Sequence, residues 1–291
     1  AQEISYVVFG FVHQKIQDQI RTLVKGGGGR QADVQQTASR IALAESSLVN
    51  AQGMLRDAET EYLRVTGEEP KALVKPQTDQ FEKTLPATLQ VTFDTALNQH
   101  PALRTAKAEW EAAQADHQQT NANFMPRLNL ELGISKNKNL DGIEGKNDDL
   151  IAMVRMRYNL YRGGADQARR QESAEQMAAA KEGIRRMQRL IEEEVRRAWN
   201  SLLTIRARLQ YLQQHVESTL QVVDSYKEQF KLGQRSLLDV LDSENELFNA
   251  RTALVTGQYT ELLSIFRVFA SMGVLLDTLG IKRPKEANLQ Q

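Results

Sequence analysis

The chain has 291 residues with 37 basic and 37 acidic side chains, so its net charge gives no argument for a nucleic-acid partner. Charged residues make up 25% and aromatic residues 6%, a balance that suits long helices with solvated faces better than a compact aromatic core. The chain has no run of about 18 apolar residues, which excludes a membrane-spanning helix. It also has no cysteine.

The first 67 residues are predicted to form a helical hairpin. A glycine run from Gly26 to Gly29 marks the turn, and Gly67 ends the second helix. Between them, apolar or small residues recur at alternating steps of three and four, the spacing of a coiled-coil seam. This seam contains Thr37, Ile41, Ala44, Leu48, Ala51, Leu55, Ala58, Tyr62 and Val65.

Residues 68–86 contain three prolines and are predicted to be an extended linker. Helical periodicity resumes at Leu89 and continues to about Asn123, with an interruption at His100 and Pro101. Because proline suits the first turn of a helix, a new helix is predicted to begin at Pro101.

Residues 127–162, directly after Pro126, are predicted to form an antiparallel β-hairpin around a polar loop from Lys136 to Asp149. Two stretches alternate between apolar and polar residues, which places the two kinds on opposite faces of a strand. Strands of about ten residues with one apolar face are typical of an outer-membrane barrel, although a hairpin half-buried on a soluble core has the same pattern.

The two faces of this hairpin are assigned to lipid and to the pore if it belongs to a barrel. The predicted lipid-facing residues are Leu128, Leu130, Leu132, Ile134, Val154, Met156 and Leu160. The predicted pore-facing residues are Asn129, Glu131, Arg155, Arg157 and Asn159.

One helix is predicted from about Gly164 to Lys231, about 100 Å long at 1.5 Å per residue. Its apolar seam continues for more than five heptads, the signature of a coiled coil. A tight turn follows at Gly233, and a second helix with the same spacing continues to about Gly273. The seam of the long helix contains Ile191, Val195, Ala198, Leu202, Ile205, Leu209, Leu212, Val216, Thr219, Val223, Tyr226 and Phe230.

The two helical hairpins are copies of each other. A shift of 206 positions aligns them without a gap and superimposes the turn glycines, Gly27 and Gly233, and the terminal glycines, Gly67 and Gly273. Because a repeat determines the architecture, the chain is divided into a first repeat at 1–67, a linker at 68–86 and a second repeat at 87–291.

No residue pattern in the chain points to catalysis, a cofactor or a metal. His13, His100, His117 and His215 are scattered and lack the spacing of metal ligands. Their simplest roles are as solvated or helix-capping side chains, so the chain is not expected to be an enzyme.

The order helix, strand, polar loop, strand, very long helix, glycine turn and helix resembles one half of a TolC-family outer-membrane channel for efflux or type I secretion. The segments that carry the resemblance are 85–86, 124–128, 158–164 and 232–241. The resemblance implies a mainly α fold in which long coiled-coil hairpins form an α-barrel segment and one antiparallel β-hairpin belongs to a transmembrane β-barrel.

The resemblance also implies an assembly, a location and partners. Family members are homotrimers with four strands per subunit in a twelve-stranded barrel. They lie in the outer membrane of Gram-negative bacteria with their helices in the periplasm. Their partners are outer-membrane lipid, a periplasmic adaptor (a membrane fusion protein) and an inner-membrane transporter, with no nucleic acid. This chain corresponds to the C-terminal portion of such a subunit.

In the family the glycine turns are periplasmic tips that constrict the pore and dock the adaptor. The matching tip residues are Gly27, Arg30, Gly233, Gln234, Ser236 and Leu237. The family's periplasmic gate falls on Asp33 and Arg235, and a gate tyrosine is replaced by Phe230, which cannot donate a hydrogen bond. The residues alone also allow Asp33 and Asp239 to be helix N-caps.

Two other functional classes fit part of the sequence. A periplasmic adaptor also contains a helical hairpin, but several β-rich segments flank it. A coiled-coil scaffold without a pore explains the heptads, but it explains neither the alternating strands nor the repeated glycine turn. An export channel accounts for all three features.

Overall fold

The computed structural model describes residues 31–282, apart from 72, 75, 77, 139–141 and 143. This part of the chain is mainly helical with one antiparallel hairpin, which confirms the predicted fold class. In chain order the elements are α1 (Gln31–Thr66), α2 (Thr78–Thr84), α3 (Leu89–Gln99), α4 (Pro101–Thr120), a 3₁₀ turn (Asn121–Phe124), β1 (Arg127–Lys138), β2 (Lys146–Arg157), α5 (Ala165–Lys231), α6 (Leu237–Ser271) and α7 (Leu275–Thr278).

The chain divides into two compact units. One comprises the described parts of Ala1–Leu89, Arg196–Ala270 and Leu275–Gln291, and the other comprises Gln90–Val195 and Ser271–Val274. The predicted first repeat at 1–67, linker at 68–86 and second repeat at 87–291 rest on sequence similarity, whereas the two units rest on contacts. That division therefore stays a prediction.

In the first unit, the long helix α5 packs against α6 along the predicted seam. Leu202, Ile205 and Val223 are buried, as expected for seam residues of a coiled coil. On α6, a Cβ added at Gly257 would lie 3.0 Å from Leu209 Cδ2 and 3.1 Å from Leu212 Cδ1. Glycine at this position therefore lets the two helices approach closely.

Helices α1 and α6 show the spacing of 206 residues in their ends and in their buried residues. They end near Gly67 and Gly273, which are 206 positions apart and have φ angles of 77° and 75°. An ion pair of 2.6 Å between Arg40 Nη2 and Asp242 Oδ1 joins the two helices. Buried residues related by the same shift are Thr37 and Ser243, Ile41 and Leu247, and Ala44 and Ala250.

The predicted extended linker is wrong in part, because helix α2 forms between its last two prolines. The ring of Phe81 packs edge-on against Phe266, with 5.0 Å between ring centroids. Glu82 Oε1 accepts a hydrogen bond of 2.9 Å from Arg206 Nη2. These contacts with α5 and α6 hold the short helix, and proline spacing alone does not reveal them.

In the second unit, helix α4 begins at Pro101 as predicted. His100 is its N-cap, and the imidazole Nδ1 accepts a hydrogen bond of 3.2 Å from the backbone N–H of Ala102. The same turn lies against Gly273, where an added Cβ would be 2.6 Å from Pro101 Cδ and 2.9 Å from His100 Cα. Glycine is thus required there for both its φ angle and its lack of a side chain.

The two strands form a regular antiparallel ladder that pairs Arg127 with Arg157 at one end and Lys138 with Lys146 at the other. We call these ends the base and the loop end of the hairpin. Both strands extend into the segment from Lys136 to Asp149, which was predicted to be a loop. Asparagine, lysine and aspartate residues continue the backbone pairing there.

Candidate functional site

One face of the β-hairpin is apolar and exposed. Across the ladder, Leu128 faces Met156, Leu130 faces Val154, Leu132 faces Ala152 and Ile134 faces Leu150. Apart from Ala152, these side chains are 65–79% exposed. The structure therefore brings six of the seven predicted lipid-facing residues to one surface, and it adds Leu150 and Ala152.

The apolar face has a limited height. From Leu128 to Ile134 it extends about 20 Å along the strand, close to the apolar band of about 25 Å in membrane barrels. Toward the loop end, the next pairs on this face are charged, Lys136 with Asp148 and Lys138 with Lys146. Below the base, large apolar side chains are again exposed, as in the aromatic girdles of such barrels. They are Phe124, Met125, Tyr158, Leu160 and Tyr161.

The predicted strand extent is wrong at the base of the hairpin. Strand β2 ends at Arg157, so Leu160 and Asn159 follow it instead of belonging to its two faces. Arg157 pairs with Arg127, and the residue before Arg127 is Pro126, which has no backbone N–H to continue the ladder.

The opposite face of the hairpin is mainly polar. It carries Asn129, Glu131, Arg155 and Arg157, as predicted, together with Arg127, and it also includes the apolar side chains of Ile151 and Met153. Glu131 Oε2 and Arg155 Nη2 form an ion pair of 3.1 Å. Toward the loop end, Ser135 Oγ lies 3.5 Å from Asp149 Oδ2. One surface of the ribbon thus suits an apolar medium and the other suits water.

The second candidate site is the tip where α5 turns into α6. Gly233 has a φ angle of 72°, and its N–H donates to the carbonyl of Phe230 at 2.9 Å. The N–H of Gln234 donates to the carbonyl of Gln229, also at 2.9 Å. This pair of hydrogen bonds is a Schellman motif, which ends the helix at a glycine in the left-handed conformation.

Helix α6 begins with a capping box. Ser236 Oγ accepts a hydrogen bond of 3.3 Å from the N–H of Asp239, and Asp239 Oδ2 accepts one of 3.3 Å from the N–H of Ser236. The N-cap is therefore Ser236, and the expectation that Asp239 is the cap itself is wrong. Asp239 lies three residues further and completes the reciprocal pair.

We expect Ser236→Ala to destabilise the start of α6 by about 1 kcal/mol, because it leaves the N–H of Asp239 without its acceptor. Hydrogen exchange at the amide of Asp239 should become faster. Ser225→Ala is the matched control, since Ser225 Oγ only donates to the carbonyl of Gln221 within α5. Equal acceleration of local exchange in both variants would contradict the capping role.

The predicted gate residue Arg235 is held by contacts within its own tip. Its Nε donates to Gln229 Oε1 at 3.0 Å, and its guanidinium lies 4.1 Å from the ring centroid of Tyr226. Arg235 Nη1 also lies 3.8 Å from Asp239 Oδ2. Tyr226 and Gln229 were not predicted as tip residues, although they lie one to two turns before the glycine.

Phe230 lies in a small apolar cluster at the same tip. It packs with Val34 against the buried side chains of Leu237 and Leu241. Val34 belongs to α1, so this part of α1 lies beside the α5–α6 turn. Phe230 therefore anchors the tip through its ring, a role that needs no hydroxyl group.

The predicted tip residues differ in their accessibility. Gly233, Gln234 and Ser236 are exposed, whereas Leu237 is 8% exposed and faces the chain's own cluster. Gly27 and Arg30 lie outside the described residues. Asp33 lies in the first turn of α1, and its side chain is outside the described part.

Within the residues that the structure describes, no group of three or more His, Asp or Glu side chains could hold a metal ion. His100 caps α4, and His117 Nδ1 lies 2.9 Å from Ser173 Oγ. At the exposed end of α1, the hydrogen bond from Arg64 lowers the pKa of the Glu61 carboxyl. None of the described helices combines the length and the hydropathy needed to cross a lipid bilayer.

Comparisons with known proteins agree with this architecture. The family model "Outer membrane efflux protein" matches residues 92–274. The outer membrane efflux protein BepC of Brucella suis is 24% identical over 258 residues, which are 88% of this chain and 56% of that protein. The outer membrane protein TolC of Vibrio cholerae is 24% identical over 239 residues, 80% of this chain and 53% of that protein.

The fold also matches solved structures. The outer membrane protein VceC of Vibrio cholerae has a TM-score of 0.74 at 17% identity, covering 94% of this chain and 65% of that one. The chain spans about half the length of the curated relatives it matches. The predicted resemblance to the TolC family is confirmed, and the chain belongs to the outer membrane efflux protein family, located in the outer membrane of Gram-negative bacteria with its helices in the periplasm.

Proposed function

We propose that the protein carrying this chain is a subunit of an export channel for efflux or type I secretion. Cargo passes by passive conduction through one continuous pore. The observation that carries the proposal is the hairpin with one face of exposed leucine, isoleucine, valine and methionine and an opposite face of arginine, glutamate and asparagine. Such a ribbon is stable where lipid lies on one side and water on the other.

The assembly we propose is a homotrimer. In the described residues β1 pairs only with β2, and both outer edges of this ribbon need further strands, because unpaired backbone groups cannot face lipid. Four strands from each of three subunits close a twelve-stranded barrel. The coiled-coil helices form the tunnel across the periplasm.

The partners we propose are a periplasmic adaptor and an inner-membrane transporter, which engage the helical tips. The exposed residues Gly233, Gln234 and Ser236 offer backbone and hydroxyl groups to an adaptor. The exposed apolar ribbon argues against a periplasmic adaptor and against a pore-free scaffold, since a surface of this kind favours aggregation in water.

The gate we propose joins Asp33 to Arg235 in the closed tip. The packing of Val34 beside Phe230 supports this pairing, because it brings this part of α1 to the α5–α6 turn. An exposed charge pair contributes only about 0–1 kcal/mol, so a partner that engages the tips can break it. The contacts of Arg235 with Tyr226 and Gln229 hold its guanidinium at the tip.

We expect Arg235→Ala to raise the conductance of the closed channel in planar bilayers by up to about fivefold, because up to about 1 kcal/mol of closed-state stability is lost. Lys231→Ala is the matched control, since Lys231 pairs with Glu228 on the surface of α5. Asp33→Ala should match Arg235→Ala, and the double variant should add nothing. Unchanged closed-channel conductance in Arg235→Ala would rule out the gate.

A further inference from the structure

The base of the hairpin carries arginines that its own acidic residues do not balance. Arg127 and Arg157 are direct partners in the ladder, and Arg155 lies on the same face opposite Asn129. Like charges directly opposite each other destabilise an antiparallel pair. The Arg127–Arg157 pair therefore opposes the stability of the hairpin and calls for a separate explanation.

Among the residues that the structure describes, ion pairing neutralises only one of the three arginines. Glu131 Oε2 lies 3.1 Å from Arg155 Nη2. Among the described residues, Arg157 has no ion-pair partner, and Arg127 Nη2 reaches only Asn123 Oδ1 at 3.4 Å. The other acidic residue on this face, Asp149, lies opposite Ser135 toward the loop end. Two positive charges per chain thus remain at the base.

The opposite face determines where these charges point. It is the exposed apolar face, and lipid covers leucine and methionine at lower cost than arginine. Since side chains alternate between faces, a barrel that turns Leu128 and Met156 to lipid turns Arg127 and Arg157 to its lumen.

We infer that Arg127 and Arg157 form a ring of positive charge in the lumen at the base of the barrel, and that this ring favours the passage of anions. The inference rests on the proposed export channel, in which three subunits repeat the arginine pair around the pore. Rings of arginine or lysine select anions in other pores, because their fields add within a narrow aqueous lumen. The preferred cargo carries carboxylate or phosphate groups.

The test is the reversal potential of the reconstituted protein in planar bilayers under a potassium chloride gradient. In the double variant Arg127→Gln/Arg157→Gln, the chloride-to-potassium permeability ratio should fall by at least about threefold. The matched control is Lys138→Gln, which removes a positive charge from the other face at the loop end and should leave the ratio unchanged. Arg157→Lys retains the charge and should also keep the wild-type ratio.

The outcomes distinguish a failure of the arginine ring from a failure of the export channel. A double variant that conducts with the wild-type ratio overturns the arginine ring but leaves the export channel in place. A protein that inserts but conducts neither as wild type nor with the gate substitution Arg235→Ala overturns the export channel and the ring with it. The substitutions remove repulsion between paired residues, so the hairpin should form. If the double variant nevertheless fails to insert, the single variant Arg157→Gln gives the same decision through a smaller fall in the ratio.

Discussion

Leu130→Arg is expected to impair insertion into the outer membrane far more than Glu131→Arg. The two residues are adjacent on β1, so they lie at nearly the same depth but on opposite faces. Leu130 is 68% exposed on the apolar face, where arginine at mid-bilayer depth costs about 2–4 kcal/mol per strand. Three copies in the proposed trimer would multiply this cost.

Glu131→Arg changes the polar face instead. It removes the exposed ion pair with Arg155 and adds a like charge beside it, effects of about 1 kcal/mol or less each. The measurement is the fraction of each variant that resists extraction from outer-membrane preparations as a folded oligomer. Comparable losses in the two variants would refute the assignment of the faces.

Gly273→Ala is expected to destabilise the protein much more than Gly67→Ala. The two glycines are related by the repeat and have nearly equal φ angles, 75° and 77°, so alanine incurs a similar backbone cost of about 1–2 kcal/mol at each. At Gly67, an added Cβ meets nothing within 4 Å. At Gly273, it would lie 2.6 Å from Pro101 Cδ and 2.9 Å from His100 Cα.

This crowding should add about 1–3 kcal/mol at Gly273, because a proline ring and a backbone atom cannot move aside as a flexible side chain can. The free energies of unfolding of both variants, from denaturant titration followed by circular dichroism, give the difference directly. Gly67→Ala serves as the control for backbone strain. Equal losses would show that α4 does not pack tightly against this turn.

Regular patterns made the largest elements predictable from the sequence. Unbroken heptads on α5 and the period of two in β1 and β2 each impose one geometry over many residues. The offset of 206 residues predicted that α1 and α6 would be equivalent, and buried residues such as Ile41 and Leu247 share that offset. The two faces of the hairpin followed from the same periodicity.

Features that depend on contacts distant in sequence could not be predicted. Helix α2 exists because Phe81 and Glu82 meet Phe266 and Arg206, and no local signal in a proline-rich segment shows this. The extent of β2 depends on its partner strand, so alternation alone placed Leu160 wrongly. At the tip, the seam pattern included Tyr226 but could not show that its ring holds Arg235.

The two outer edges of the β1–β2 ribbon constrain the order of biogenesis. Each edge exposes backbone amides and carbonyls that, in lipid, would cost several kcal/mol apiece. A lone copy of the ribbon described here consequently cannot enter the bilayer ahead of its neighbours. If the channel is the proposed trimer, we expect its subunits to associate before insertion, so the yield of inserted protein should rise more steeply than linearly with subunit concentration.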